Sequence, residues 1–307
     1  MEILQNTHID FMRKRWLAIV FSSILLVVGI GSLLTKGLNF GLDFTGGTLI
    51  EVIYDKAPKL EEVRANLDAV GLGDAVVQTF GSANDIVVRL AARGETSNAE
   101  ISSTVLEALG GGVEMRRVEF VGPQVGEELT EQGGLAMLWV LAGVFVYIMF
   151  RFQWRFSVGA VVALIHDVLI TAGVLSLLQV EFDLTVVAAL LAVIGYSLND
   201  TIVLYDRIRE NFRRLRKDGP IEVINFSINQ TLSRTVMTSV TTIMVLLALF
   251  YFGGEIIHSF AFTLLIGVLI GTYSSVFVAS TAILQLGVSK QDLLVITKEN
   301  PELDALP

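Results

Sequence analysis

The chain has 307 residues, of which 53% are hydrophobic and only 17% charged, and its mean hydropathy is +0.65. Soluble globular domains sit nearer about 45–50% apolar and about 25% charged, so a soluble fold is excluded. A net charge of −9 argues against a nucleic-acid partner, which needs a basic face, and the absence of cysteine excludes disulfides, thiolate metal sites and thiol catalysis.

Residues 1–15 end in Arg13-Lys14-Arg15 and are read as a short N-terminal segment. The apolar run Trp16–Leu34 follows, giving a first transmembrane helix over 16–35. Signal peptides carry apolar cores of about 7–15 residues, so this longer run is expected to stay as an anchor. Crossing about 30 Å of hydrocarbon takes roughly 20 apolar residues in a helix. Five later segments meet that length or approach it: Leu135–Phe150, Val158–Leu178, Leu184–Tyr205, Val236–Phe252 and Phe260–Leu286. The expected architecture is therefore an α-helical polytopic membrane protein with six transmembrane helices. Residues 133–286 form a five-helix membrane bundle, and 287–307 form a C-terminal tail.

Between the first two spans, residues 36–132 break the pattern and carry eight basic and sixteen acidic side chains. Thr48–Tyr54 alternates like a strand. Pro58–Val63 opens a helix with acids at its positive end, which Gly71 and Gly73 close. Ala75–Phe80 and Asp85–Leu90 read as strands joined by Gly81–Asn84. Ser97–Leu109 is a second helix, capped by Ser97 or Asn98 and stopped by Gly110–Gly112, and Val113–Val121 is the last strand. This β-α-β-β-α-β order is the ferredoxin-like α+β pattern. No cluster of ligating or catalytic side chains marks the domain, so it reads as a binding module or mechanical arm.

Orientation follows from the basic residues of the short loops. Arg13–Arg15, Arg151, Arg155 and the run Arg207–Lys217 lie on one side, whereas Glu181, Asp183 and Glu255 lie on the other. Both termini are expected in the cytoplasm, with residues 36–132 periplasmic or extracellular. The basic run sets topology or touches anionic lipid. Gly267 and Gly271 make a GxxxG suited to close helix packing.

Ionisable groups inside spans are costly and mark function by default. Asp200 lies in the polar stretch Gly195–Thr201 of the fourth span, about 9 Å from its cytoplasmic boundary at 1.5 Å per residue. Ser197 and Asn199 belong to the same stretch. Burial and a nearby cation pull in opposite directions on the proton affinity of such a group, which allows it to load and release a proton. The competing reading is a structural aspartate in one fixed charge state. Arg234, before the fifth span, is on the same membrane side and within guanidinium reach, or else snorkels as an anchor. Asp167 lies about 18 Å along the third span. With His166 it either extends a proton path or serves as a hydrogen-bond hub, with His166 facing away.

These residues also carry a resemblance. Gly41-Leu42-Asp43-Phe44-Thr45-Gly46-Gly47, Val121–Leu129, Ala163–Asp167, Gly195–Thr201 with Tyr205–Glu210, and Asn229–Thr235 occur in order along nearly the whole chain. Together they resemble the SecF family, the smaller subunit of the bacterial SecDF protein-export complex, within the resistance-nodulation-division (RND) superfamily. In that family Gly41, Asp43, Gly46 and Gly47 correspond to the motif at the entry of the external domain. The resemblance implies no enzyme, no cofactor and no metal, but a subunit of the cytoplasmic (inner) membrane that uses the proton-motive force to assist late protein translocation. It assigns the proton relay to Asp200 and Arg234. Implied partners are SecD with a carboxylate of its own, the SecYEG translocon with YajC and YidC, the translocating unfolded polypeptide, and membrane lipids. A standalone RND-type exporter half working as a homodimer and a non-conducting translocon scaffold are the rivals. An intramembrane aspartyl protease would need a Gly-x-Gly-Asp that Ser197-Leu198-Asn199-Asp200 does not supply.

Overall fold

A computed structural model describes residues 7–91, 98–215 and 218–289. Ser97, Arg216, Lys217 and most of the C-terminal tail fall outside the described residues.

The chain enters through a 3-10 turn, Met12–Lys14, and the first membrane-length helix, α1 (Arg15–Thr35). A short strand β1 (Asn39–Phe40) and the one-turn helix α2 (Leu42–Thr45) lead into the domain between the first two spans. That domain runs β2 (Gly47–Tyr54), α3 (Leu60–Ala69), β3 (Val76–Phe80), β4 (Ser82–Leu90), α4 (Asn98–Leu109) and β5 (Val113–Val121). Its strands lie in the order β3-β4-β2-β5 with every neighbour antiparallel, which is the ferredoxin-like arrangement read from the sequence. The period-2 alternation of β2 and β4 puts Ile50, Val52, Ile86 and Val88 on the buried face. The apolar stripes of the two helices cover them with Val63, Leu67, Ile101 and Val105.

Two details differ from expectation. The helix begins at Leu60, so Pro58 precedes it rather than sitting in its first turn. The β3–β4 connection is tighter than the four residues Gly81–Asn84: Phe80 already pairs with Ser82, and Gly81 makes the reversal alone at φ +75°.

The remaining helices are α5 (Pro123–Arg151), α6 (Trp154–Leu178), α7 (Leu184–Arg214), α8 (Pro220–Phe252) and α9 (Glu255–Ser274), followed by a π-turn at Ser275–Ala279 and α10 (Ser280–Gln285). A two-residue strand, β6 (Glu181–Phe182), pairs in parallel with β1 just before α7. Six helices are long and apolar enough to cross a membrane, counting α9, the π-turn and α10 as one. Three of them are longer than their apolar stretches suggest. Residues 123–132 form the first turns of α5, and α7 and α8 continue past the bilayer-length segment as an antiparallel pair tied by Asn211 to Ser227 and Gln230, at 2.9 Å each. The sixth span is interrupted rather than continuous; single π-turns of this kind are frequent at functional sites.

Packing sorts the spans into two sets. About half of the apolar stretch of α6, α7 and α9 is buried, against 6% for α5, so those three form the centre and α1, α5 and α8 flank them. Small residues set the closest approaches. A Cβ on Gly267 would overlap Val193 Cγ2 and one on Gly271 would stand 3.0 Å from Ser197 Cβ, so the GxxxG seats α9 on α7. Gly29 and Gly173 make the equivalent crossing of α1 and α6.

Candidate functional site

The start of α7 is fixed by two carboxylates. Asp183, at the N-cap, accepts from the Val186 N–H at 2.8 Å, and Asp43 accepts from the Leu184 N–H at 3.0 Å. Both satisfy donors that a helix N-terminus leaves free. Asp43 is presented by α2, whose preceding Gly41 donates its own N–H to Phe182 O at 2.8 Å. Gly46, at φ +64°, lies against Pro123, and a Cβ on Gly126 would meet Phe44 O at 3.1 Å. Gly47 begins β2 opposite Val121. The entry motif Gly41, Asp43, Gly46 and Gly47 is thus wedged between the first turns of α5 and α7, and an Arg89–Glu181 ion pair ties β4 to the same point. The ferredoxin-like domain and the N-terminal end of α7 are one junction.

Along α7, Ser197 and Asp200 lie about one turn apart and meet different surroundings. Asp167 of α6 is 1% exposed and saturated. Its Oδ2 accepts from Ser197 Oγ at 2.5 Å and from Ser274 Oγ at 2.7 Å, while Oδ1 meets His166 Nδ1 at 2.9 Å. His166 does not face away: its Nε2 lies 3.0 Å from Ser22 Oγ of α1. Ser22 in turn is 3.0 Å from the Tyr273 hydroxyl, which donates to Ala18 O at 2.8 Å. One polar chain therefore joins α1, α6, α7 and α9. It meets α9 at Ser274, where the π-turn begins.

Asp200 is as deeply placed, at 4% exposure, but its surroundings are the opposite. Its Oδ2 is buried with no hydrogen-bond partner, as is the neighbouring Thr201 hydroxyl. One turn earlier, Tyr196 donates to Ser239 Oγ of α8 at 3.3 Å, and Ser239 pairs with Thr272 Oγ1 of α9 at 2.7 Å. Arg234, also on α8, is the cation whose charge acts on Asp200. Among the described residues the two make no direct ion pair, and Arg234 is exposed on the flank of the bundle. Asn199 is exposed too and joins neither cluster.

The sequence-predicted residues thus divide. Asp167, His166 and Ser197 come together, Asp200 and Arg234 form a looser couple, and Asn199 stands apart. Ser22, Tyr273, Ser274, Ser239 and Thr272 were missed. Serine and threonine hydroxyls in apolar helices are common, because they can bond the carbonyl four residues back, and a tyrosine there reads as an apolar ring with a polar tip, so no sequence signal separates these five from others.

Comparison with known proteins gives this geometry its family. Residues 101–289 match the family described as protein export membrane protein SecD/SecF, C-terminal, and residues 31–58 match the SecD/SecF GG motif. The protein translocase subunit SecF of Vibrio alginolyticus is 54% identical over 305 residues, 97% of each chain. The chain belongs to the SecD/SecF family, as a SecF. The SecF of Pseudomonas aeruginosa is 50% identical over 93% of this chain and 94% of its own, and that of Escherichia coli O157:H7 is 47% identical over 93% and 90%. Among solved structures, SecDF of Thermus thermophilus, a translocon-associated membrane protein, matches with a TM-score of 0.84 at 37% identity. It covers 92% of this chain, which spans 39% of that longer one. A second SecDF structure, in a super-membrane-facing form, matches over the same shares with a TM-score of 0.69. The GG motif of the family contains Asp43, Gly46 and Gly47, the residues wedged at the domain–α7 junction. The family and the six spans make the chain a multi-pass membrane subunit of a protein translocase.

Proposed function

We propose that the chain is the SecF part of a SecDF assembly and uses the proton-motive force to drive a late step of protein translocation, with Asp200 as the group that takes up and releases the proton. The observation that carries this reading is the buried Asp200 Oδ2 with no partner. An unsatisfied carboxylate oxygen in a membrane helix is costly. Protonation, or approach of a cation, relieves that cost, so the group responds to both. Arg234 is the nearby cation, near enough to act and not locked in place.

The site is incomplete within one chain. Arg234 and Asn199 are exposed on the flank of a membrane bundle, where polar groups need partners. A SecD subunit carrying its own carboxylate fits that flank, and the solved SecDF chain, of which this one spans 39%, supports a second half. Movement would leave the site along α7. Sixteen residues separate Asp200 from Leu184, about 24 Å of helix at 1.5 Å per residue, and Leu184 is held by Asp43 at the base of the external domain. The two SecDF structures match the same share of this chain at TM-scores of 0.84 and 0.69, which favours a part that changes arrangement. In this reading the basic loops Arg13–Arg15, Arg151 to Arg155 and Arg207–Arg214 face the cytoplasm of an inner membrane, and the ferredoxin-like domain meets the emerging polypeptide beyond SecYEG, alongside YajC and YidC.

Asp200→Asn, assembled with SecD and the translocon in proteoliposomes, tests the proposal. Co-purification with SecD is expected to be unchanged, and stimulation of export by an imposed proton gradient is expected to fall to the level seen without one. Full stimulation by a stably assembled variant would remove Asp200 from the proton path.

A further inference from the structure

We infer that His166 and Asp167 form a second proton-binding site, one that holds its proton permanently and uses it to fasten α1 to the centre of the bundle. The inference rests on counting hydrogens along the chain from Ala18 to Ser274. Tyr273 has one hydroxyl hydrogen, and it goes to Ala18 O, which can only accept. The bond between Ser22 and Tyr273 must therefore be donated by Ser22, which has no second hydrogen to give. The 3.0 Å contact between Ser22 Oγ and His166 Nε2 then requires a hydrogen on Nε2. A neutral imidazole has only that one, yet His166 Nδ1 also lies 2.9 Å from Asp167 Oδ1, and this contact needs a hydrogen of its own.

All six bonds are made only when the pair carries one proton more than a neutral imidazole beside a carboxylate. That proton sits on Nδ1 or on Oδ1; in both forms Nε2 keeps its hydrogen, and the pair as a whole is uncharged, as burial in an apolar bundle demands. Without it, one of three contacts fails, Ser22 with Tyr273, Ser22 with His166 or His166 with Asp167, and the fastening of α1 to α6 is weakened by that bond. Ser197 gives its hydrogen to Asp167 Oδ2, and the single hydrogen of Ser274 lies between Asp167 Oδ2 at 2.7 Å and Gly271 O at 3.2 Å, the shorter contact favouring Asp167; both serines so hold α7 and α9 to the same pair. From the elements packed against the pair, α9 presents Tyr273 as its titratable group, whereas α1 presents Ser22 and α7 presents Ser197. Asp200 and Arg234 make no contact with it.

The pair is not sealed. His166 and Ser22 line a cavity of about 380 Å³ between α1, α6 and α10, which reaches Gln285 at its far end. Thr281, 6% exposed, lines the same cavity, and its hydroxyl is buried without a partner.

The test reads His166 directly and does not depend on transport, so its failure leaves the reading of Asp200 intact. The chain has three histidines, His8, His166 and His258, and ring-nitrogen NMR of ¹⁵N-histidine-labelled full chain in lipid nanodiscs resolves them, with His166→Gln assigning the signal. The expected result is a hydrogen on Nε2 of His166 in at least nine-tenths of molecules at neutral pH. Ser22→Ala removes the acceptor for that hydrogen, and the Nε2–H population is expected to fall about tenfold in favour of the Nδ1–H form. A bare Nε2 in the parent protein, a bare Nδ1 beside an ionised Asp167 in the carboxyl ¹³C spectrum, or an Nε2–H population that Ser22→Ala leaves unchanged, would overturn the inference.

Discussion

Asp167 and Asp200 lie on adjacent central helices of one bundle, almost equally withdrawn from the surface, and differ in nearly everything else. Asp167 has a donor for each oxygen and ties four helices together through Ser197, Ser274, His166 and Ser22. Asp200 has an oxygen with no partner, a cation that acts without pairing, and a position on the side of α7 that faces α8. Burial alone does not tell a working carboxylate from a fixed one. What separates them is how many donors their neighbours supply: a saturated group has its charge state set by its bonds, while an unsaturated one keeps a vacancy that a proton or a moving cation fills.

The largest expected effect tests this contrast in stability. Asp167→Ala strands three donors in the apolar centre, and about 2–4 kcal/mol of stability should be lost, since each buried unsatisfied group costs about 1–3 kcal/mol and hydroxyls recover part by bonding backbone carbonyls. Asp200→Ala removes an oxygen that had no partner and should leave stability unchanged to within about 1 kcal/mol. Thermal unfolding of the two variants in the same lipid or detergent reads the difference; equal losses would erase the distinction.

The Asp167 cluster depends on how closely α9 sits on α7, so the next prediction disturbs that approach. Gly267→Ala would drive a Cβ into Val193, and overpacking of this kind costs about 1–3 kcal/mol. Because the clash is with one side chain, Gly267→Ala with Val193→Ala should recover most of the loss in the same unfolding assay. Failure of the rescue would mean that the glycine matters for backbone reasons rather than for the α7–α9 distance.

The smallest effect is expected at the far end of α7. Asp43→Ala frees the Leu184 N–H while Asp183 still caps the helix, for a cost of about 0.5–2 kcal/mol. Its consequence should be greater for coupling than for folding. Gradient-stimulated export should drop while Asp200 still changes its protonation. Export that survives intact would remove the Asp43 junction from the path between Asp200 and the external domain.

Much of this was legible in the sequence, for identifiable reasons. Twenty-residue apolar runs and the period-2 strands of residues 48–90 are strong signals, because the bilayer and the sheet each impose one dominant repeat. Asp200, Asp167 and Arg234 stood out because charge is rare in such helices. Their partners did not. Ser22 and Ser274 are remote in sequence and ordinary in kind, and only the crossing of α1 over α6 at Gly29 and Gly173, and of α9 over α7 at Gly267 and Gly271, brings them to one place. Of the two readings of the pair, the one with His166 facing away rests on helix-face geometry, which places Cβ atoms; the imidazole ring is long enough to reach the carboxylate of the next residue. The role of Asp43 as a cap for α7 was equally hidden, since 141 residues separate it from Leu184.

The central claim is that Asp200 changes its proton while the Asp167–His166 pair keeps the one it holds. Infrared difference spectroscopy of the reconstituted complex, recorded as a proton gradient is imposed, measures this directly through the carboxylic-acid C=O stretch. The account predicts a difference band that is absent in Asp200→Asn and retained in Asp167→Asn. A band that disappears in Asp167→Asn and persists in Asp200→Asn would contradict it.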